Sequence, residues 1–107
     1  MRKYHHVGVP VKKIEYRKIY YSELKTYATP FEDSDYGIEL FEQSNDCPLP
    51  EVIKNKVHVA FSVDNLQKEI EGKEIIVPPR KVAKGIEQAF ILERGIPIEF
   101  LKFDKQE

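Results

Sequence analysis

The sequence predicts an α+β fold made of two related halves, the second reading βαβββ and the first an abbreviated copy of it. Three observations predict this. Short apolar stretches alternate with polar residues at strand spacing along most of the chain. One segment, around Leu66 and Ile70, carries its apolar residues at helical spacing. A strand bearing a histidine and a strand bearing a glutamate recur in the same order in both halves.

With 107 residues and 12.5 kDa, the chain suits one domain over 1–107 rather than two. Its 41% hydrophobic and 33% charged residues can bury a core inside a solvated surface, which argues against wholesale disorder. Seventeen Lys and Arg against 18 Asp and Glu leave a net charge of −1. No positive field gathers phosphate backbones, so a nucleic-acid partner is not expected. The apolar runs fall far short of the roughly 20 residues that span a bilayer, so no membrane partner is expected either. Met1-Arg2-Lys3 resembles the basic start of a secretory signal, but Tyr4-His5-His6 interrupts it where an apolar region should begin. A cytoplasmic location is expected. Cys47 is the single cysteine, so any metal must be held by histidine and carboxylate rather than by a thiolate cage.

From Tyr4 to Val11, alternation puts Val7, Val9 and Val11 on one face of a strand and His6, Gly8 and Pro10 on the other. Lys12 to Lys18 is charged, lacks an apolar stripe and reads as a loop. Tyr20 to Pro30 is rich in aromatic and β-branched residues, and the turn-forming run Glu32 to Asp35 separates it from Tyr36 to Glu42. These two stretches read as an antiparallel pair. Gln43 to Pro50 reads as a linker between a first module over about 1–46 and a second over about 56–107. Val57 to Val63 alternates again. Asp64 is a candidate cap for a helix through Leu66 and Ile70 that Gly72 stops. Glu74 to Val77 is a strand that Pro78-Pro79 should break. Glu87 to Leu92 and Ile96 to Phe103 form a hairpin through Arg94-Gly95.

The repeat falls on polar residues of otherwise apolar strands. His6-Val7-Gly8-Val9-Pro10-Val11 aligns with His58-Val59-Ala60-Phe61-Ser62-Val63, and Ile38-Glu39-Leu40-Phe41 with Ile98-Glu99-Phe100-Leu101. Each histidine shares its face with small residues, Gly8 and Pro10 or Ala60 and Ser62, which leave room for a ligand. Each glutamate points away from the bulky residues flanking it. If the bulky faces form the core, two imidazoles and two carboxylates meet on a concave side. That set suits a divalent cation such as Zn, Ni, Co, Fe or Mn. Without one, the two buried carboxylates would repel each other and one would take up a proton.

On these residues the chain resembles the vicinal oxygen chelate superfamily, which includes glyoxalase I, methylmalonyl-CoA epimerase, extradiol dioxygenases and bleomycin-resistance proteins. The most specific stretches are His58-Val59-Ala60-Phe61-Ser62-Val63-Asp64 and Ile98-Glu99-Phe100-Leu101. The resemblance implies paired βαβββ modules forming a curved mixed sheet, the first module abbreviated, with His6, Glu39, His58 and Glu99 as metal ligands. It further implies a metal-dependent lyase or isomerase of the glyoxalase I type, acting on a small oxygenated substrate through a metal-stabilised enediolate. Glu99, or alternatively Glu39, is the expected base. Extradiol dioxygenase chemistry, or a metal-free binding or resistance protein, is the alternative. The first module's missing helix leaves sheet surface that a second subunit would cover, so a homodimer is expected. No glutathione-binding residues are identifiable.

The remaining candidates read as structural. His5 should face away from His6, and Glu42 away from Glu39. Arg80 is an isolated cation that suits the surface better than an anionic substrate. Tyr4, Tyr27 and Tyr36 suit packing, and Cys47 has no neighbouring base in sequence to activate it.

Overall fold

The two histidine strands, β1 (Lys3–Pro10) and β5 (His58–Ser62), run antiparallel to each other at the centre of one sheet. This computed structural model describes residues 2–104; Met1 and residues 105–107, inside the expected module bounds, lie outside the described residues. Around β1 the first half adds β2 (Ile19–Tyr21), β3 (Thr26–Ala28) and β4 (Ile38–Gln43). A short helix, α1 (Glu51–Asn55), leads into the second half, which adds α2 (Leu66–Ile70), β6 (Glu74–Ala83), β7 (Ile86–Glu93) and β8 (Ile96–Phe103). The eight strands lie in the order β2-β3-β4-β1-β5-β8-β7-β6, in a sheet curled into a half-barrel.

The order reads alike outward from the centre. β1 is parallel to β4, and β5 is parallel to β8; every other neighbour pair is antiparallel. The sequence repeat is thus matched by a repeat of strand order. The architecture is mixed α+β with few helices, as expected, and the first half has no helix between β1 and β2.

What covers the outer face differs between the halves. In the second half α2 packs Leu66 and Ile70 against Val63, Ala89, Ile91 and Phe100. Each such side chain contributes about 1.5–3 kcal/mol when fully buried. In the first half the loop after β1 takes that place. Ile14 is buried there, and its amide donates to Glu42 Oε1 at 2.8 Å, while Lys18 Nζ donates to the same oxygen at 3.1 Å. Glu42 does face away from Glu39, and it fastens the loop that replaces a helix.

Three local expectations, on the Tyr20–Pro30 stretch, the helix cap and Pro78-Pro79, are corrected. Tyr20 to Pro30 is a tight hairpin of β2 and β3 rather than one strand, turning through Lys25 at φ 49°. The helix cap is Asn65, whose side chain accepts from the Lys68 amide at 3.1 Å, one residue beyond Asp64. β6 continues through Pro78-Pro79 because it is the sheet edge, where missing amide donors cost no ladder bond, and the register shifts between Val77 and Arg80. Cys47 is buried, joined to Leu49, Ile53, Val77 and Phe90 in a cluster that α1 and the linker press onto the inner face. The β7–β8 turn is as expected: Arg94 and Gly95 take φ values of 53° and 77°, the left-handed pair that a two-residue hairpin requires.

Candidate metal centre

Strand pairing sets two rows of residues across the inner face. In one, Gly8 on β1 lies between Glu39 on β4 and His58 on β5. In the other, Ala60 on β5 lies between His6 on β1 and Glu99 on β8. Partners on adjacent strands point to the same side, so all four polar side chains enter one concavity. The outer members of each row are two strands apart, about 9.5 Å between backbones. A small residue at each centre leaves that span open. The choice is tight at Gly8, where a β-carbon would run into the His58 ring.

The four side chains converge. His58 Nε2 lies 3.1 Å from Glu99 Oε1, His6 Nε2 lies 3.3 Å from the same oxygen, and His6 Nε2 lies 3.5 Å from Glu39 Oε1. One ligand atom each from His6, Glu39 and His58 can be chosen so that all three are within 4.8 Å of one another. His6, His58 and Glu99 are buried, whereas the Glu39 side chain keeps 21% of its exposure. Phe41 and Phe90 flank the His58 ring at centroid distances of 5.3 and 5.5 Å.

The two carboxylates differ in surroundings. Burial would raise Glu99, but the adjacent His58 and His6 outweigh it and hold Glu99 well below the usual carboxylate range. Burial pushes Glu39 up to about 7, with the Glu99 charge adding to the rise and His6 only partly offsetting it. Burial alone would lower His6, yet Glu99 and Glu39 raise it above the ordinary histidine value.

Two contributors escaped the sequence reading. Gln88 Nε2 donates to Glu99 Oε2 at 2.5 Å, and Arg80 donates through Nε and Nη2 to Gln88 Oε1 at 3.4 and 3.2 Å. Arg80 therefore fixes which end of the Gln88 amide faces Glu99. Arg80 is neither a free surface charge nor a lining residue of the cavity. His5 is the second. A register shift between Tyr4 and His6 breaks the alternation, and His5 turns inward beside His6, not away from it. Its Nδ1 is 2.8 Å from His6 Nδ1, so one of the two nitrogens carries the shared proton. Tyr4, by contrast, donates its hydroxyl to the Tyr36 carbonyl, and Tyr4, Tyr27 and Tyr36 do not line the cavity.

The donor set fits a divalent cation. His58 Nδ1 is buried with no hydrogen-bond partner among the described residues, which costs about 1–3 kcal/mol, and His6 Nε2, also without a hydrogen bond, has only the two carboxylates beside it. His6, Glu39 and His58, two imidazoles and one carboxylate with no thiolate among them, form a group that could hold a metal ion. The His5 contact on His6 Nδ1 orients that ring as outer partners of metal-binding histidines do.

A cavity of about 250 Å³ opens from the four side chains along the inner face. A second cleft beyond Glu39 includes Arg17, Tyr21 and Phe31. No helix among the described residues is long and apolar enough to cross a membrane.

No family model matches the chain, and no curated protein matches it. Among solved structures, it is similar to the crystal structure of a hypothetical protein from Bacillus halodurans C-125. That match has a TM-score of 0.73 and 22% identity, over 99% of this chain and 97% of the other. The likeness at this identity is one of fold.

Proposed function

We propose that this protein is a metal-dependent lyase or isomerase of the glyoxalase I type, with the paired-module fold of the vicinal oxygen chelate superfamily. The substrate is a small oxygenated molecule. The observation that carries the reading is the pair of rows Glu39-Gly8-His58 and His6-Ala60-Glu99, which supports a four-residue site for one divalent cation. A cation held there would supply a Lewis acid for a substrate oxygen.

The protein's own groups divide the remaining work. Glu99 is gripped by Gln88 and lies against both imidazoles, so it serves best as a fixed ligand. Glu39 keeps 21% of its side-chain exposure against 7% for Glu99, and it borders both the cavity and the outer cleft. Glu39 therefore takes the substrate proton on its carboxylate, in preference to Glu99. Phe41, Phe90 and Leu101 keep water from the reacting carbon.

The test is metal loading followed by proton exchange. Protein reloaded with zinc, nickel or manganese should exchange the α-proton of a hydroxy-ketone for deuterium in heavy water, and Glu39→Gln should bind the metal yet lose the exchange. Exchange unchanged in Glu39→Gln overturns the assignment of the base.

One observation favours a second reading. His6, Glu39 and His58 by themselves make a set of two imidazoles and one carboxylate, the ligand set of non-haem iron oxygenases. Oxygen uptake by anaerobically iron-loaded protein on addition of a catechol would support it. Protein that takes up no metal even on reloading would instead be a small-molecule binding module. The chain is proposed to work as a homodimer, with the half-exposed outer face around Ile38 as the shared surface.

A further inference from the structure

The cavity has a polar end and an apolar body. Its polar end is the cluster of His6, Glu39, His58 and Glu99, and its body is walled by Ala28, Phe31, Leu49, Ile53, Phe90 and Leu101, among others. Tyr21 lines the cavity toward the cleft beyond Glu39, and two further polar residues of the wall have their donors engaged within the protein. Thr26 donates its hydroxyl to the Leu24 carbonyl, and the Gln88 amide is taken up between Glu99 and Arg80. At the rim, the His5 ring packs between Phe31 and Phe103 at centroid distances of 4.2 and 5.6 Å.

Charge is the second consideration. No lysine or arginine is among the lining residues that the structure describes. Arg80 approaches from behind the wall and spends its donors on Gln88. Arg17, in the adjoining cleft, forms a two-oxygen pair with Asp33 at 3.0 and 3.2 Å. Two carboxylates would cancel the charge of one divalent cation. Among the described residues, no lysine or arginine of the lining is left to compensate a carboxylate or phosphate carried by a ligand, and stripping such a group of water without a partner is costly.

Size is the third. An apolar cavity of about 150 Å³ accommodates benzene, so about 250 Å³ holds one ring with a short oxygenated substituent, roughly a dozen non-hydrogen atoms. A tripeptide conjugate exceeds that volume and carries carboxylates that no described lysine or arginine of the lining pairs.

We infer that the ligand is an uncharged, compact and mainly apolar molecule, of the size of one substituted ring, whose only polar part is a carbonyl or hydroxyl pair directed at the histidine and glutamate cluster. The inference rests on the metal-centre reading for the polar end alone. The apolar, cation-free body stands on the geometry of the cavity.

The test compares two probes of nearly equal size, phenacyl alcohol, which is neutral, and mandelate, which is anionic. Each is titrated into zinc-reloaded protein by calorimetry, and amide shifts locate the contact. Phenacyl alcohol should bind tighter by about tenfold or more, equivalent to about 1.4 kcal/mol, with the shifts centred on Ala28, Phe90 and Leu101. S-benzylglutathione should not compete. Mandelate binding as tightly as the neutral probe overturns the inference, and so does the absence of any shift along the apolar wall. A separate zinc titration keeps the two readings apart. Failure to bind zinc removes the metal centre but leaves the choice between probes to be read on zinc-free protein, whereas zinc binding with preference for mandelate removes only the inference drawn here.

Discussion

The His58 imidazole lies over the backbone of Gly8, in the volume that a β-carbon on residue 8 would need. The contact explains why a residue without a side chain stands in the middle of a central strand, where glycine otherwise costs about 0.5–1 kcal/mol relative to alanine. Gly8→Ala should push the ring out of place. The expected loss is about 1–3 kcal/mol of stability, as for other overpacked interiors, together with weaker metal binding. Urea unfolding and metal titration of the variant would measure both, and Ala60→Gly is the control that leaves room for both histidines.

Gln88 should matter to metal binding although it is not a ligand. Gln88→Ala removes the donor that holds Glu99 Oε2, and a fall of about 10- to 100-fold in metal affinity is expected, as for other outer partners of metal ligands. Arg80→Met should give a smaller fall, because the amide keeps its place and loses only the contact that orients it. Calorimetric metal titration of the two variants checks the ranking.

Stability of the chelator-treated protein should decrease as pH rises from about 5 to 8. Glu39 holds its proton more readily in the folded chain, up to about 7 against an ordinary 4.5, so folding is favoured while the group is protonated and disfavoured once it ionises. The raised His6 acts in the same sense, since its contribution is present when protonated and lost above its folded value. Glu99, lowered in the fold, stays ionised throughout this window and contributes no slope. The Glu39 part is about 3 kcal/mol. Urea unfolding across the range should show the decrease, Glu39→Gln should flatten it, and added metal should reverse it.

If the outer face of the first half is an interface, light scattering at micromolar concentration should give twice 12.5 kDa. Ile38, on that face, is 43% exposed, and Ile38→Lys should halve the mass without touching the inner face. A mass of 12.5 kDa for the unaltered chain removes the homodimer.

Much of this site was readable because two simple regularities coincide in it. Strand alternation put His6, Glu39, His58 and Glu99 on the sides that meet in the concavity, and the repeat told them apart from ordinary polar residues. His5 was misread because a bulge at the start of β1 suspends that alternation, and no residue type there announces it. Gln88 had a usable signal that alternation within one strand does not carry. A two-residue turn at Arg94-Gly95 fixes the hairpin register, pairing Phe90 with Glu99 and Gln88 with Leu101. Gln88 is then the diagonal neighbour of Glu99 on the same face. The β2–β3 turn stayed hidden for the opposite reason: its left-handed residue is Lys25, with no glycine or asparagine to mark it. Helix α1, as short as α2, lacks the side-chain cap and the glycine stop that marked α2, so it did not stand out from the linker.

The central claim is that four side chains from two repeated halves hold one divalent cation. Calorimetric titration of zinc, nickel and manganese into untagged, chelator-stripped protein tests it most directly, beside the variants His6→Ala and His58→Ala. Binding close to one ion per chain, weakened by about 100-fold or more in each variant, is the predicted result. No binding by the unaltered chain, or binding that survives the loss of both histidines, would contradict it.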